Sequence, residues 1–120
     1  MTAEPLLDYD HVGSLLEFLA ADKVRALFAS VARGSPPLLN EMRDAAAKSD
    51  PVGLHRAGHT AKGMFGNLGM RRCEALSRAI ETHGKAGEFA LALPLIAELE
   101  TIIAETEAMM DRWIDEQSKI

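Results

Sequence analysis

Apolar residues recur at intervals of three and four along almost the whole chain. An α-helix makes one turn in about 3.6 residues, so this spacing gathers the apolar side chains on one side of each helix. No stretch shows the apolar–polar alternation and β-branched enrichment that are typical of strands. The pattern therefore predicts an all-α protein.

Two helices are predicted in the first half of the chain. Asp8 or Asp10 is the expected cap of a short first helix, whose apolar side comprises Val12, Leu15, Leu16 and Leu19. A second helix begins after Asp22 and buries Val24, Leu27, Phe28 and Val31. Its Gly-Ser-Pro-Pro run at residues 34–37 predicts a kink or a restart, because serine followed by proline is typical of a helix start. Beyond that run, the apolar positions are Leu38, Leu39, Met42 and Ala46.

Three more helices are predicted in the second half. Asp50 caps a third helix, which runs to about residue 68 and ends at Gly69, a residue able to adopt the left-handed conformation that closes helices. A fourth covers about residues 70–82 and ends before His83. The last extends from about residue 88, with Pro94 either kinking it or marking its first turn. Its apolar stripe comprises Leu95, Leu99, Ile102, Ile103, Thr106, Met109, Met110, Trp113 and Ile114.

Helices joined by short turns, each with one apolar stripe, bury those stripes most simply as a bundle. We therefore expect an up-and-down antiparallel four-helix bundle with an additional short N-terminal covering helix. The long C-terminal stripe is expected to belong to the core, and a dimer contact is the alternative. With 120 residues and 48% apolar content, residues 1–120 are expected to form a single domain around one core.

Charge and cysteine content argue against several classes of protein. Thirteen Lys and Arg against 18 Asp and Glu give a net charge of -5, which argues against bulk electrostatic binding to nucleic acid. The one cysteine, Cys73, rules out an internal disulfide framework and is expected to be a small buried apolar residue. No apolar run approaches the roughly 20 residues needed to cross a bilayer, and no export signal is visible. We expect a cytoplasmic protein that binds neither nucleic acid nor membrane.

The third helix has two different faces. Its inward face holds Leu54, Ala57, Ala61, Met64, Phe65 and Leu68. The opposite face presents His55, Arg56, His59, Lys62, Gly63 and Gly66. No Asp or Glu occurs between residues 51 and 73, so this face is locally basic and suits a phosphate or an acidic surface of a partner.

Three glycines in this helix call for a structural reason, because each costs roughly 1 kcal/mol relative to alanine. Gly58 can allow close packing of helices. Gly63 and Gly66, on the outward face, are expected to leave bare backbone beside His59, so that a partner can approach the imidazole. Neutral imidazole is a capable nucleophile, and the Lys62 ammonium one turn away can neutralise charge on a phosphoryl group in transit.

The run His59-Thr-Ala-Lys62-Gly63, followed by Asn67-Leu-Gly69, resembles the signature of the histidine phosphotransfer (HPt) family, H-x-x-K-G with a later L-G. Further similarity extends over nearly the whole chain, at Leu6-Leu-Asp8, Asp50 and Ile80-Glu81. Met64 departs from the small residue that is common after the glycine in this family, and it is expected to influence which partners bind.

The resemblance implies a phosphoryl acceptor at His59, a phosphate-stabilising Lys62 and a clearance glycine at Gly63. It also makes Glu81 a candidate to hold Nδ1–H of the imidazole and leave Nε2 free to react. The implied partners are response-regulator receiver domains, a hybrid histidine kinase, or both. No cofactor is expected in the chain, and Mg²⁺ is expected in the partner receiver domain. The residues expected to contact the partner are His55, Arg56, Gly63, Met64 and Gly66.

Two other functions stay open on the sequence alone. One is a non-catalytic helical adaptor that docks on receiver domains. The other is a metal-binding bundle, since His55 and His59 stand one turn apart, although no further ligands are evident and no metal is expected. The chain lacks a glycine-rich nucleotide loop and an acidic metal cluster, so it is expected to have no kinase activity of its own.

Overall fold

Five α-helices make up the computed structural model, which describes residues 4–118. They are α1 (Tyr9–Phe18), α2 (Ala21–Ala47), α3 (Pro51–Gly66), α4 (Arg71–Lys85) and α5 (Phe89–Ser118). No strand occurs among the described residues. The prediction of an all-α protein is confirmed.

Local sequence signals set several helix ends as predicted. The Asp8 carboxylate accepts a hydrogen bond from the His11 N–H at 3.0 Å and caps α1, and Asp50 caps α3 through the Gly53 N–H at the same distance. These side-chain oxygens satisfy backbone donors that the first turn of a helix leaves free. Gly69 has a φ of +72° and lies in the left-handed region between α3 and α4, as expected.

Helix α2 continues without a break through the prolines at residues 36–37, so the predicted restart is wrong. Ser35 is buried, and its hydroxyl donates to the Val31 carbonyl oxygen at 2.7 Å, back along the same helix rather than forward as a cap. Prolines are disfavoured inside helices because they lack the N–H donor. Buried Phe28 and Leu39, on either side of the prolines, lie in one core, and this packing outweighs the local preference.

Helix α4 extends to Lys85, beyond the predicted end at residue 82. Gly84 is buried inside it, since a Cβ there would lie 2.8 Å from Leu54 Cγ and 3.1 Å from the His55 backbone N. Gly84 is therefore a packing residue of the helix and not part of a turn. Gly87, with a φ of +74°, follows the helix end in the left-handed conformation.

Helices α2 to α5 enclose the core, and each packs against two of the others. Helix α3 lies between α2 and α4, and α5 lies between α4 and α2, while α1 has a smaller contact with α2. The stripe of α5 faces the core as predicted, and its buried members are Leu99, Ile102, Ile103, Thr106, Met110 and Ile114.

Two leucines that the pattern assigns to the inward faces of the first helices lie at the surface. Leu19 is 38% exposed and Leu27 is 40% exposed, so their predicted burial is wrong. The reason is that α1 and α2 meet over a small area and leave part of each apolar stripe uncovered. No described helix combines the length and apolar character needed to cross a membrane.

Candidate functional site

Helix α3 turns His59 outward because the core fixes the opposite side of the helix. The residues of that side that are almost fully buried are Leu54, Ala57, Ala61 and Phe65. The His59 side chain is 67% exposed. The outward orientation predicted from the helical pattern is confirmed.

A close approach of α3 and α4 brings Glu81 within reach of His59. A Cβ on Gly58 would lie 2.8 Å from the Glu81 backbone N and 2.9 Å from its Cα, closer than a real side chain tolerates. Gly84 allows the same approach against Leu54. These four residues, Leu54, Gly58, Glu81 and Gly84, form what we call the α3–α4 seam. The interpretation of Gly58 as a residue for close helix packing is confirmed.

The Glu81 carboxylate holds one ring nitrogen of His59. His59 Nδ1 and Glu81 Oε2 are 2.6 Å apart, and Glu81 itself is buried. An ionised carboxylate only accepts hydrogen bonds, so the imidazole proton lies on Nδ1 and the lone pair on Nε2. The exposed ring therefore presents its nucleophilic nitrogen away from Glu81.

Lys62 contacts the other oxygen of the same carboxylate, with Nζ 2.8 Å from Glu81 Oε1. Burial tends to raise the pKa of Glu81, but the hydrogen bonds and charges of Lys62 and His59 outweigh it and hold that pKa below its usual range. Glu81 is therefore ionised at neutral pH, as the tautomer of His59 requires. The Lys62 ammonium has three donors, so its contact with Glu81 leaves others for an incoming group.

The two outward glycines have different surroundings. A Cβ on Gly63 would meet no atom within 4 Å, so the surface beside His59 is open there. A Cβ on Gly66 would lie 2.7 Å from Glu74 Oε2, and the other oxygen of that carboxylate is 3.1 Å from Arg71 Nη1. The interpretation of Gly66 as bare backbone is therefore wrong, because α4 covers it. The same carboxylate adds negative charge to a face that the sequence of α3 alone predicts to be basic.

An open depression lies beside His59 between α3 and α4. It is lined by His55, His59, Lys62, Glu81, Thr82, Lys85 and Ala86. The ring centroids of His55 and His59 are 6.2 Å apart. The sequence pattern does not predict Thr82 and Lys85 in this lining. Lys85 nevertheless follows Glu81 by four residues and shares its helix face, because α4 extends to Lys85.

The remaining residues singled out in the sequence lie around this site or in the core. Arg56 is exposed, and Met64 is partly buried against the core. Cys73 is fully buried, and burial raises the pKa of its thiol to about 12, which agrees with the prediction of an apolar core residue. Among residues 4–118, no group of three or more His, Cys, Asp or Glu side chains is placed to hold a metal ion.

Comparisons with known proteins agree on one family. The sequence model of the Hpt domain matches residues 26–109, from α2 into α5, and so includes His59, Lys62 and Gly63. A crystal structure of histidine-containing phosphotransfer protein B from Pseudomonas aeruginosa has the same fold, with a TM-score of 0.80 at 23% identity over 96% of this chain and 98% of that chain. No curated protein sequence matches the chain significantly. The extent of the family match shows that this chain belongs to the Hpt domain family.

Proposed function

We propose that this Hpt domain carries a phosphoryl group on His59 Nε2 between receiver domains of a two-component phosphorelay. The observation that carries the proposal is the 2.6 Å contact between His59 Nδ1 and Glu81 Oε2. It keeps the proton on the nitrogen that faces α4 and leaves a lone pair on the exposed Nε2. The donor is an aspartyl phosphate of one receiver, and the final acceptor is an aspartate of another.

The transfer step needs no proton to leave His59. The Nε2 lone pair attacks the phosphorus atom, a P–N bond forms, and the P–O bond to the receiver aspartate breaks with its electron pair staying on that carboxylate. Because Nδ1 keeps its proton, the phosphorylated ring carries a positive charge. The buried Glu81 carboxylate then stabilises this charge through a charge-assisted hydrogen bond, and the reverse reaction restores the neutral imidazole.

Lys62 supplies a positive charge near His59 Nε2, and Gly63 leaves open space near the same atom. In this proposal the Lys62 ammonium keeps its contact with Glu81 and donates to a phosphoryl oxygen, since it has donors to spare. The open space above Gly63 admits the edge of the receiver's active site. The rest of the catalytic machinery, including Mg²⁺, is proposed to belong to the receiver, and no cofactor is assigned to this chain.

The proposed partners are response-regulator receiver domains, a hybrid histidine kinase, or both. Their proposed contact surface lies on α3 and comprises His55, Arg56, Gly63, Met64 and Gly66. At Gly66 the partner would meet the Glu74 carboxylate that covers the glycine. Docking therefore combines cationic side chains of α3 with at least one carboxylate of α4, which suits a partner surface of mixed charge.

We also propose that α2 to α5 run up and down as an antiparallel four-helix bundle covered by α1, within a single domain of residues 1–120. The short connections at residues 48–50, 67–70 and 86–88 support this arrangement, because they join neighbouring helices end to end. A cytoplasmic location stays a prediction of the sequence.

A phosphorylated receiver tests the function directly. Incubation with this protein should give a label that is stable to base and labile to acid, as a phosphohistidine is, and His59→Gln should abolish it. Label on the His59→Gln variant would refute the site. Binding to receivers without any label would instead favour the non-catalytic adaptor.

Two further variants separate the roles of the neighbouring residues. Gly63→Leu should block transfer from the receiver while circular dichroism shows unchanged helicity, because it fills the approach to His59 and not the core.

Lys62→Ala should slow transfer without ending it, since the nucleophile remains. Wild-type rates in either variant would remove that residue from the mechanism.

A further inference from the structure

His55 is a second histidine of the depression, and one of its ring nitrogens is enclosed without a partner. Its Nδ1 is buried and makes no hydrogen bond with any described residue. At this residue α4 packs tightly on α3, since a Cβ on Gly84 would lie 3.1 Å from the His55 backbone N. The rest of the ring lines the depression that His59 also lines.

The enclosed Nδ1 decides where the proton of His55 lies. A proton there would leave an N–H donor buried and unpaired, which is costly. The tautomer with its proton on Nε2 buries only a lone pair. His55 therefore presents an N–H donor on its Nε2 side, which is not enclosed and has no bond within the described chain.

The two histidines of α3 thus hold opposite tautomers for separate reasons. Glu81 fixes the proton of His59 on Nδ1, so that Nε2 is an acceptor and nucleophile. Enclosure fixes the proton of His55 on Nε2, so that the same atom is a donor and cannot act as a nucleophile. The ring centroids are 6.2 Å apart on one helix face, so an oxygen of a phosphoryl group on His59 would lie near the His55 ring.

We propose that His55 donates its Nε2–H to an oxygen of the phosphoryl group entering or leaving His59, which makes His55 a further catalytic residue. This inference rests on the proposed function of His59. The donor is neutral and held by packing, so it needs no rearrangement when charge develops on the phosphoryl oxygens. It also predicts that His55, though one turn from His59, is not a second acceptor.

Phosphoramidate is the probe, because it phosphorylates imidazole without a protein partner. His59 Nε2 forms a bond to phosphorus, the P–N bond of phosphoramidate breaks, and its nitrogen, which already carries three protons, leaves as ammonia. The His55→Phe variant keeps a ring but has no donor, and should lower the rate of His59 phosphorylation about three- to tenfold, as expected for one hydrogen bond. The His55→Gln variant keeps a donor and should restore most of the rate. Equal rates in the wild type and His55→Phe, or no rescue by His55→Gln, would overturn the proposal.

Imidazole ¹⁵N spectra give a readout that a purely structural role would not move. The unphosphorylated protein should show the proton of His55 on Nε2 and that of His59 on Nδ1, and phosphorylation of His59 should shift the His55 Nε2 resonance. A proton on Nδ1 of His55 would refute the inference. A protein labelled by phosphoramidate but by no receiver would contradict the relay function alone, and would leave the test of His55 intact.

Discussion

The α3–α4 seam and helix α1 are attached to the rest of the molecule in different ways. At the seam, Gly58 and Gly84 lack side chains, so the two helices approach each other almost backbone to backbone. Helix α1 is attached by the buried side chains of Leu7 and Val12 and by polar contacts near its start. The Asp8 N–H donates to the Gly69 carbonyl oxygen at 2.8 Å, and Arg71 Nη2 lies 3.1 Å from the Asp8 carboxylate.

Because of this difference, changes at the seam and changes in α1 should affect different properties of the protein. An atom added at Gly58 would meet the backbone of α4 first and would have to displace that helix, because protein interiors are close-packed. The depression beside His59 is lined by residues of α3, of α4 and by Ala86, and by none of α1. We therefore expect changes at the seam to alter both stability and phosphoryl transfer, and changes in α1 to alter stability alone.

Alanine at position 58 is expected to have the largest effect. Its Cβ would lie 2.8 Å from the Glu81 backbone N, so α4 must move away. Overpacking of this kind lowers the free energy of unfolding by about 1–3 kcal/mol. The displaced Glu81 would also lose its contact with His59 Nδ1. Urea denaturation measures the first effect, and the initial rate of transfer from a phosphorylated receiver measures the second.

Gly63→Ala is the matched control on the same helix. A Cβ there meets no atom within 4 Å, so the free energy of unfolding should rise by about 0.5–1 kcal/mol through helix propensity alone. If Gly58→Ala raised the free energy of unfolding as much as this control does, α3 and α4 would not be tightly packed at the seam.

Glu81→Gln should slow phosphoryl transfer about tenfold, the equivalent of roughly 1.4 kcal/mol. The amide oxygen can still accept the His59 Nδ1–H, but it lacks the negative charge that we propose stabilises the phosphorylated ring. Glu88→Gln is a control outside the site, because Glu88 pairs with His83 at 3.0 Å in the same kind of contact. Equal slowing in both variants would mean that the Glu81 charge has no particular role in transfer.

The features that the sequence predicted correctly depend on short stretches of chain. The Asp50 cap, the left-handed Gly69 and the outward position of His59 each follow from a few neighbouring residues and the helical repeat. Such local preferences act whatever the rest of the fold does. They were sufficient to predict that His59 lies on the outward face of α3.

The features that the sequence predicted wrongly depend on which helix packs beside which. Gly66 is covered because Glu74 of α4 lies over it, and Gly84 is helical because Leu54 of α3 packs against it. The prolines at residues 36–37 stay within a helix because buried side chains on both sides share one core. Nothing in the local pattern of α3 or α2 carries this information, since tertiary packing overrides local preference.

Asp8→Asn should lower the melting temperature by a few degrees at neutral pH without changing the transfer rate. The His11 N–H and the Arg71 guanidinium, both bonded to the Asp8 carboxylate, hold its pKa below the usual range. A lowered pKa in the folded state means that this stabilisation is present above about pH 4 and is lost as the pH falls through the folded-state pKa. The difference between wild type and variant should therefore vanish in acid, and a difference that persisted there would contradict the ion pair.

Phe18→Ser is expected to have the smallest effect. Phe18 is the last residue of α1 and is 85% exposed, so its surroundings differ little between the folded and unfolded chain. The free energy of unfolding should change by less than about 0.5 kcal/mol. Val12, on the same helix, is fully buried, and Val12→Ala should cost about 1–2 kcal/mol. If thermal denaturation showed equal losses in both variants, α1 would be held along its whole length and not mainly by contacts near its start.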